Sequence, residues 1–339
     1  MAAPITSGAY SATPTVIDLV NAALRVAQVI GAEETATGAQ LQNSLDAMFA
    51  MTKGWQASGI HVWCEEEGIL FLQPGQTIYQ IGSGSPDKAT LWDSLIQTTL
   101  TATALTGATS LSLTALSGGG GIPTTTLAAG DQIGVQLDAD TNFWTTVSGT
   151  PSGLVVPISA PLPSQASQGA IVFDYAVPLY RPLRVMGARR YNYLSKIDLP
   201  VQVWARLDYQ AQPNKYARGI PTAFFYDPQT GSGAYQQPVG QWNSWPTPQD
   251  NTNAMRFTAQ RPIQDIGTLA NIPDFPVEWN AALKWNLALE IGPENGTPLE
   301  QLQIIVKQAE RWYQMAAAWD REPESVTFGV AWTPGQRRG

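Results

Sequence analysis

The stretch Gly267–Gly296, GTLANIPDFPVEWNAALKWNLALEIGPENG, decides how the chain is built. Pro273 and Pro276 lead into a helical run, Val277–Ile291, and Gly292-Pro293 stops it. Proline suits the first turn of a helix, and a Gly-Pro pair closes the other end. Trp279, Leu283, Asn286, Leu287 and Glu290 recur at helical spacing and share a face. A second helix is predicted at once, with Thr297 as N-cap, Pro298 at the first helical position and Glu300 completing a capping box. Its apolar stripe runs through Leu299, Leu302, Ile305, Val306, Ala309, Trp312, Tyr313 and Ala316 as far as Arg321. Two capped helices joined by a short loop make an antiparallel hairpin.

Two more helices are predicted at the other end of the chain. The first runs from Thr13-Pro14 to Gly31, with Ile17, Val20, Leu24, Ala27 and Ile30 inward. The second starts at Thr37, with Gln40 in the capping-box position, and passes Leu41, Leu45, Met48, Thr52 and Trp55 before Gly59 ends it. Apolar faces at both ends need cover, and one helical bundle would supply it. Between them the chain reads as β. A short segment spans Val62–Ile81 with Pro74-Gly75 as its turn. Thr98–Leu116 alternates with period two, and strands follow at Asp131–Leu137, Phe143–Val147, Gly153–Ile158 and Ala170–Tyr175. Strand spacings of roughly ten residues point to a small β-sandwich or β-barrel. Further strands are expected at Leu183–Ala188, Val201–Ala205, Thr222–Tyr226 and Asn253–Thr258, while Pro228–Asp250, with Trp242 and Trp245, reads as a loop. The fold class is therefore α+β. The expected division is a flexible arm at 1–12, a main domain at 13–93 and 176–321, an inserted β domain at 94–175 and a tail at 322–339.

Charge supports an insertion. The net charge of −8 is uneven: residues 1–88 carry −5, residues 181–339 carry +2, and the 92 residues between hold five Asp and no Lys or Arg. An acidic chain with 14% charged residues and 12 Trp argues against gripping nucleic acid through a broad basic face and favours large contact surfaces. The single cysteine, Cys64, excludes an internal disulfide and a cysteine-based metal cluster. Asp18 and Arg25 interrupt the best apolar run, so no membrane-spanning helix is expected. The segment MAAPITSGAYSATP lacks a basic n-region and an apolar h-region, and is expected to be an arm rather than a signal peptide.

The motif IPDFPVEW…AL…NLALEIGPENG resembles the C-terminal signature of the head-to-tail adaptors of short-tailed phages. These are the packaged-DNA stabilisation or tail accessory factors, distantly similar to tail tubular protein A. Other parts agree in order: the two N-terminal helices, Trp55…Gly59, EEEGILFLQPGQTIYQIG (Glu65–Gly82), Arg181–Val185, Gly219-Ile220-Pro221 and Tyr226-Asp227-Pro228. The resemblance implies a dodecameric ring docked beneath the phage portal. Such a ring continues the DNA channel without sequence-specific binding, retains the packaged genome and receives a tail nozzle or tail fibre protein. It implies a virion location after synthesis in the host cytoplasm, with no catalysis, cofactor, metal or membrane. On this reading the tail at 322–339 holds the portal, since Val326, Phe328, Val330 and Trp332 alternate like a strand awaiting a sheet edge. Trp312, Trp319, Arg189 and Arg190 are expected at a subunit or tail interface.

Candidate chemistry is sparse. His61, the only histidine, and Cys64 lie too close along one segment to be read as a nucleophile–base pair. Gly118–Gly121 lacks the Lys-Ser/Thr of a phosphate cradle. Asp131, Asp138 and Asp140 match no EF-hand spacing and read as turn aspartates. Glu65 and Glu67 share one side of a strand and Glu66 the other, an expected solvated or subunit-facing acidic edge. The alternatives are a virion-associated peptidoglycan hydrolase using Glu65 or Glu67, and a carbohydrate-binding β module stacking sugars on Trp92 and Trp144.

Overall fold

A computed structural model of the chain describes residues 13–58, 62–118, 127–228 and 239–320. Val326, Phe328, Val330 and Trp332, the arm at 1–12 and His61 lie outside the described residues. The protein is mixed α+β with a β-rich body. It divides into two compact units, one made of the described residues up to Trp63 together with those from Ile263 onward, the other of Cys64–Pro262.

The α-helices, among the described residues, are α1 (Val16–Val26), α2 (Gly38–Ser58), the short α3 (Arg206–Ala211), α4 (Asn280–Ile291) and α5 (Leu299–Trp319). All but α3 belong to the first unit. α1 starts at an N-cap, Thr15, whose backbone N–H and hydroxyl both donate to the Asp18 carboxylate (3.0 and 2.5 Å). It ends five residues before Gly31, at a Schellman closure. Gln28 takes a left-handed φ of 58°, Val29 N–H donates to Leu24 O, and Gln28 N–H donates to Arg25 O. α2 begins after Thr37, whose amide donates to Gln40 Oε1 while its hydroxyl accepts from the Gln40 amide.

The predicted run from Val277 opens as a 3₁₀ turn, Val277–Trp279, before α4 begins. The expected Thr297 cap is not made. α5 starts at Leu299 behind Pro298, and the buried Thr297 hydroxyl donates instead to Ala27 O at 2.7 Å. Gln301 Nε2 donates to Val26 O at 2.8 Å, so the entrance of α5 serves the exit of α1, where carbonyls have no intrahelical donor. Gly292 permits the turn between α4 and α5. A Cβ there would lie 2.9 Å from Ala288 O and 3.0 Å from Leu302 Cδ2. Val16, Leu19, Val20 and Leu24 of α1 share an aliphatic cluster with Met48 of α2, Leu283 and Leu287 of α4 and Ile305 of α5.

The second unit holds, before the insertion, β1 (Glu65–Phe71), β2 (Ile78–Ile81) and β3 (Ala89–Leu91). The insertion supplies β4 (Ile96–Thr99), β5 (Ser110–Ser112), β6 (Ser117–Gly118), β7 (Gln132–Gln136), β8 (Asn142–Thr146), β9 (Val155–Pro157) and β10 (Ile171–Tyr175). After it come β11 (Arg184–Asn192), β12 (Asp198–Val203), β13 (Arg218–Gly219), β14 (Ala223–Asp227), β15 (Gly240–Trp245), β16 (Thr247–Pro248) and β17 (Asn253–Gln260). Eight strands in the order β2-β15-β14-β12-β11-β17-β1-β3 form a nearly closed, barrel-like sheet. Its inner face buries Leu70, Tyr79, Phe224, Trp242, Met255 and Phe257.

β15 corrects the reading of Pro228–Asp250 as loop throughout. Its Trp242 is fully buried and stacks on Phe224 with ring centroids 4.1 Å apart. The insertion has its own five-stranded sheet, β6-β4-β10-β7-β8, and a two-stranded ladder, β5-β9. Its core is partly shared: Ile171, Phe173 and Tyr175 pack with Ile69, Phe71, Tyr191 and Tyr193 on the other face of the larger sheet. Thus both faces of β1 are covered, one by the inner cluster and one by the insertion. Gly134 admits the Trp144 ring, whose atoms would lie 2.7 Å from a Cβ.

Candidate functional site

Consecutive strand residues point to opposite faces, and β11 uses this to send Arg189 and Arg190 to different places. Arg189 donates to Glu67, as does Arg256, and Arg256 also reaches Asp198 Oδ2 at 3.0 Å. The Arg256 guanidinium lies over the Trp92 ring, 4.2 Å from its centroid. Burial pushes the Glu67 carboxyl up, but hydrogen bonds and charge from Arg256 and Arg189 outweigh it and hold the group below the usual range. On the opposite face, Glu66 accepts from Arg261 Nε at 2.9 Å and from the Tyr180 hydroxyl at 2.5 Å. Glu67 therefore ties β1 to β11 and β17, and Glu66 ties it to Tyr180 and Arg261 just outside those strands. Both are half-buried anchors where a solvated or subunit-facing acidic edge was expected. A general acid must hold a proton near neutral pH, and the two arginines oppose that at Glu67.

Arg190 lines a cavity of about 220 Å³ that is open to solvent, with Ile197, Leu199 and Ile220 exposed at its apolar side. Asn192, Leu199 and Asn253 reach it from β11, β12 and β17, Ser195 and Ile197 from the β11–β12 turn, Ile220 from the β13–β14 connection, and Asp250 and Thr252 from the β16–β17 connection. Its polar wall is internally ordered. Asn192 Nδ2 donates to Asn253 Oδ1 (3.4 Å), Asn253 Nδ2 to Thr252 Oγ1 (2.8 Å), and the Thr252 hydroxyl to Asp250 Oδ1 (2.6 Å). Burial raises the Asp250 carboxyl, but the bonds from Thr252, then Gln249 and Asn253, bring it below the usual range. Among the described residues, the Arg190 side chain makes no hydrogen bond, ion pair or ring contact, while its backbone pairs with Leu199 and Met255 in the sheet.

The tryptophans divide similarly. Trp312 is half-buried against an aromatic cluster of Trp55, Trp63, Phe275, Trp279 and Tyr313. Trp279 is its fully buried centre, 5.2 Å from Trp63 and 5.5 Å from Trp55 between centroids. Trp319 is 56% exposed near the end of α5, on a side shared with the exposed Ile304 and Met315. Trp92 is buried, with Tyr191 against it, and Trp144 packs on Phe71 and Tyr175, so both serve the shared core. Asp131 and Asp138 are loop anchors: Asp131 accepts from the Ala128 amide, and Asp138 from Ser167 and Gln165. Asp140 turns the β7–β8 hairpin with a φ of 56°. Among the described residues no three His, Cys, Asp or Glu side chains gather as a metal site, and no helix is long and apolar enough to cross a membrane.

One residue escaped the sequence reading. Asp174, on β10, is 1% exposed and neither carboxylate oxygen has a hydrogen-bond partner. Burial, and then the charge of Asp131, push its pKa up to about 8. The available signal was an aspartate inside the apolar run Ile171–Tyr175. The pocket's Asp250 and Asn253 gave a weaker one, since polar residues between strands are read as turn formers. Compared with known proteins, the chain matches no protein-family model and no curated protein.

Proposed function

We propose that this chain is a structural virion protein, the subunit of a head-to-tail adaptor ring that docks under a portal, continues its DNA channel, retains the genome and attaches the tail. The observation that carries the reading is that segments bearing the resemblance meet within each unit. In the first unit, Trp55 of α2 packs on Phe275 and Trp279 of the IPDFPVEW motif. In the second, Arg181 Nη1 donates to Pro228 O and the Tyr226 hydroxyl to Pro182 O, both at 2.7 Å, joining two other matched motifs. Motifs that contact one another are constrained together, as parts of one fold are.

On this reading α1, α2, α4 and α5 form a bundle, and the insertion is a small β-sandwich or β-barrel. A ring closes through repeated heterologous contacts, for which the exposed Ile304, Met315 and Trp319 offer an apolar strip. A net-acidic wall would let DNA pass, because unbalanced cations would hold phosphate. Portal contact is assigned to Val326, Phe328, Val330 and Trp332. A chain truncated after Arg321 is expected to remain folded by circular dichroism but not to co-sediment with portal rings. Undiminished co-sedimentation would remove the tail's role. Peptidoglycan clearing in a zymogram, lost in Glu65→Gln or Glu67→Gln, would replace the adaptor reading with the hydrolase.

A further inference from the structure

The Arg190 cavity combines three features that the adaptor reading does not use. It has a cation with no partner, an anion on the same wall system that does not pair with it, and an apolar wall of Ile197, Leu199 and Ile220. Asp250 Oδ1 accepts from the Thr252 amide and hydroxyl, Oδ2 receives a 3.4 Å contact from Gln249, and Asn253 adds a further side-chain contact to the carboxylate. With its contact from Gln249 a long one, Oδ2 keeps capacity to accept from a further donor. The amide chain Asn192–Asn253–Thr252 holds this carboxylate in place, so its geometry exists before any ligand arrives.

Opposite charges set around a cavity without touching each leave an unmet electrostatic demand. One molecule carrying both charges answers both. At about 220 Å³ the space is below the roughly 300–1,000 Å³ of drug-sized sites, which restricts it to a small occupant. We propose that the cavity binds a small zwitterion of the amino-acid class, with its carboxylate on the Arg190 guanidinium, its ammonium on Asp250 and a compact apolar side chain against Ile197, Leu199 and Ile220. A planar guanidinium suits a carboxylate through paired N–H donors. This inference stands apart from the adaptor reading and does not depend on ring formation.

The test is calorimetric titration of the full chain with L-leucine, 4-methylpentanoate and 3-methylbutylamine, the last two each lacking one charge. L-leucine should bind with millimolar or tighter affinity, and each single-charge analogue at least tenfold more weakly. Arg190→Gln and Asp250→Asn should each weaken leucine binding at least tenfold, with circular dichroism unchanged in Arg190→Gln. Three results would overturn the proposal. The first is no heat at about 10 mM leucine, ten times a millimolar Kd. The second is leucine affinity unchanged in Arg190→Gln. The third is 4-methylpentanoate binding as well as leucine and tightening in Asp250→Asn, which would identify a simple carboxylate site.

Discussion

Asp174 and Thr297 show how much depends on single polar atoms. An unfolded aspartate titrates near 3.9, and the buried one near 8. Below about pH 4 both states hold the proton and nothing is lost. Between about pH 4 and 8 only the folded state holds it, so stability falls as pH rises, by roughly 1.4 kcal/mol per unit, and levels off above about 8. Asp174→Asn should therefore raise the free energy of unfolding, little at pH 4 and progressively more towards pH 8, by an amount on the order of a few kcal/mol, with the melting temperature rising in step. A gain that is flat with pH would show that the carboxyl is not buried in its neutral form. Thr297→Val keeps the shape but leaves Ala27 O without its donor, a loss of about 1–3 kcal/mol. Chemical denaturation should give a lower midpoint with an unchanged slope.

At the scale of elements, the sequence was most legible where side-chain periodicity met a strong terminator. The α2 start at Thr37 and the stop at Gly292-Pro293 lie where local chemistry puts them. Legibility failed where a residue without a turn signature made the turn, or where a tertiary partner won. α1 closes early because Gln28, not a glycine, adopts the left-handed conformation, and Thr297 abandons its cap because Ala27 O is nearer to hand. β15 was hidden because Trp242 and Trp245 flank polar residues, and its burial comes from Phe224 and Phe257 on other strands. The Arg190 cavity was illegible for the same reason, since its lining comes from three strands and three connections.

Two substitutions probe the helical unit. Gly292→Ala gains up to about 1 kcal/mol of helix propensity, yet it drives a methyl into Ala288 O and Leu302 at a cost of roughly 1–3 kcal/mol. A net loss of stability is expected, and a net gain would show that α4 and α5 are not this close. Trp279→Ala should cost about 3–5 kcal/mol by emptying the centre of the aromatic cluster. Near-wild-type thermal stability would remove that cluster from the core.

For the whole molecule, uneven charge sets residues 89–180 apart in composition. Composition does not report packing, and these residues fall in one compact unit with the rest of Cys64–Pro262. The insertion keeps its own sheet while Phe173 and Tyr175 share a core with Phe71 and Tyr193. Replacing it with a linker would uncover those rings. The adaptor reading rests on ordered motifs and on their contacts within each unit, and its central claim is assembly. Electron microscopy of the purified full-length chain mixed with its portal tests that most directly. The account predicts a closed ring of this chain, coaxial with the portal and continuing its channel. A chain that stays monomeric and never joins the portal would contradict it.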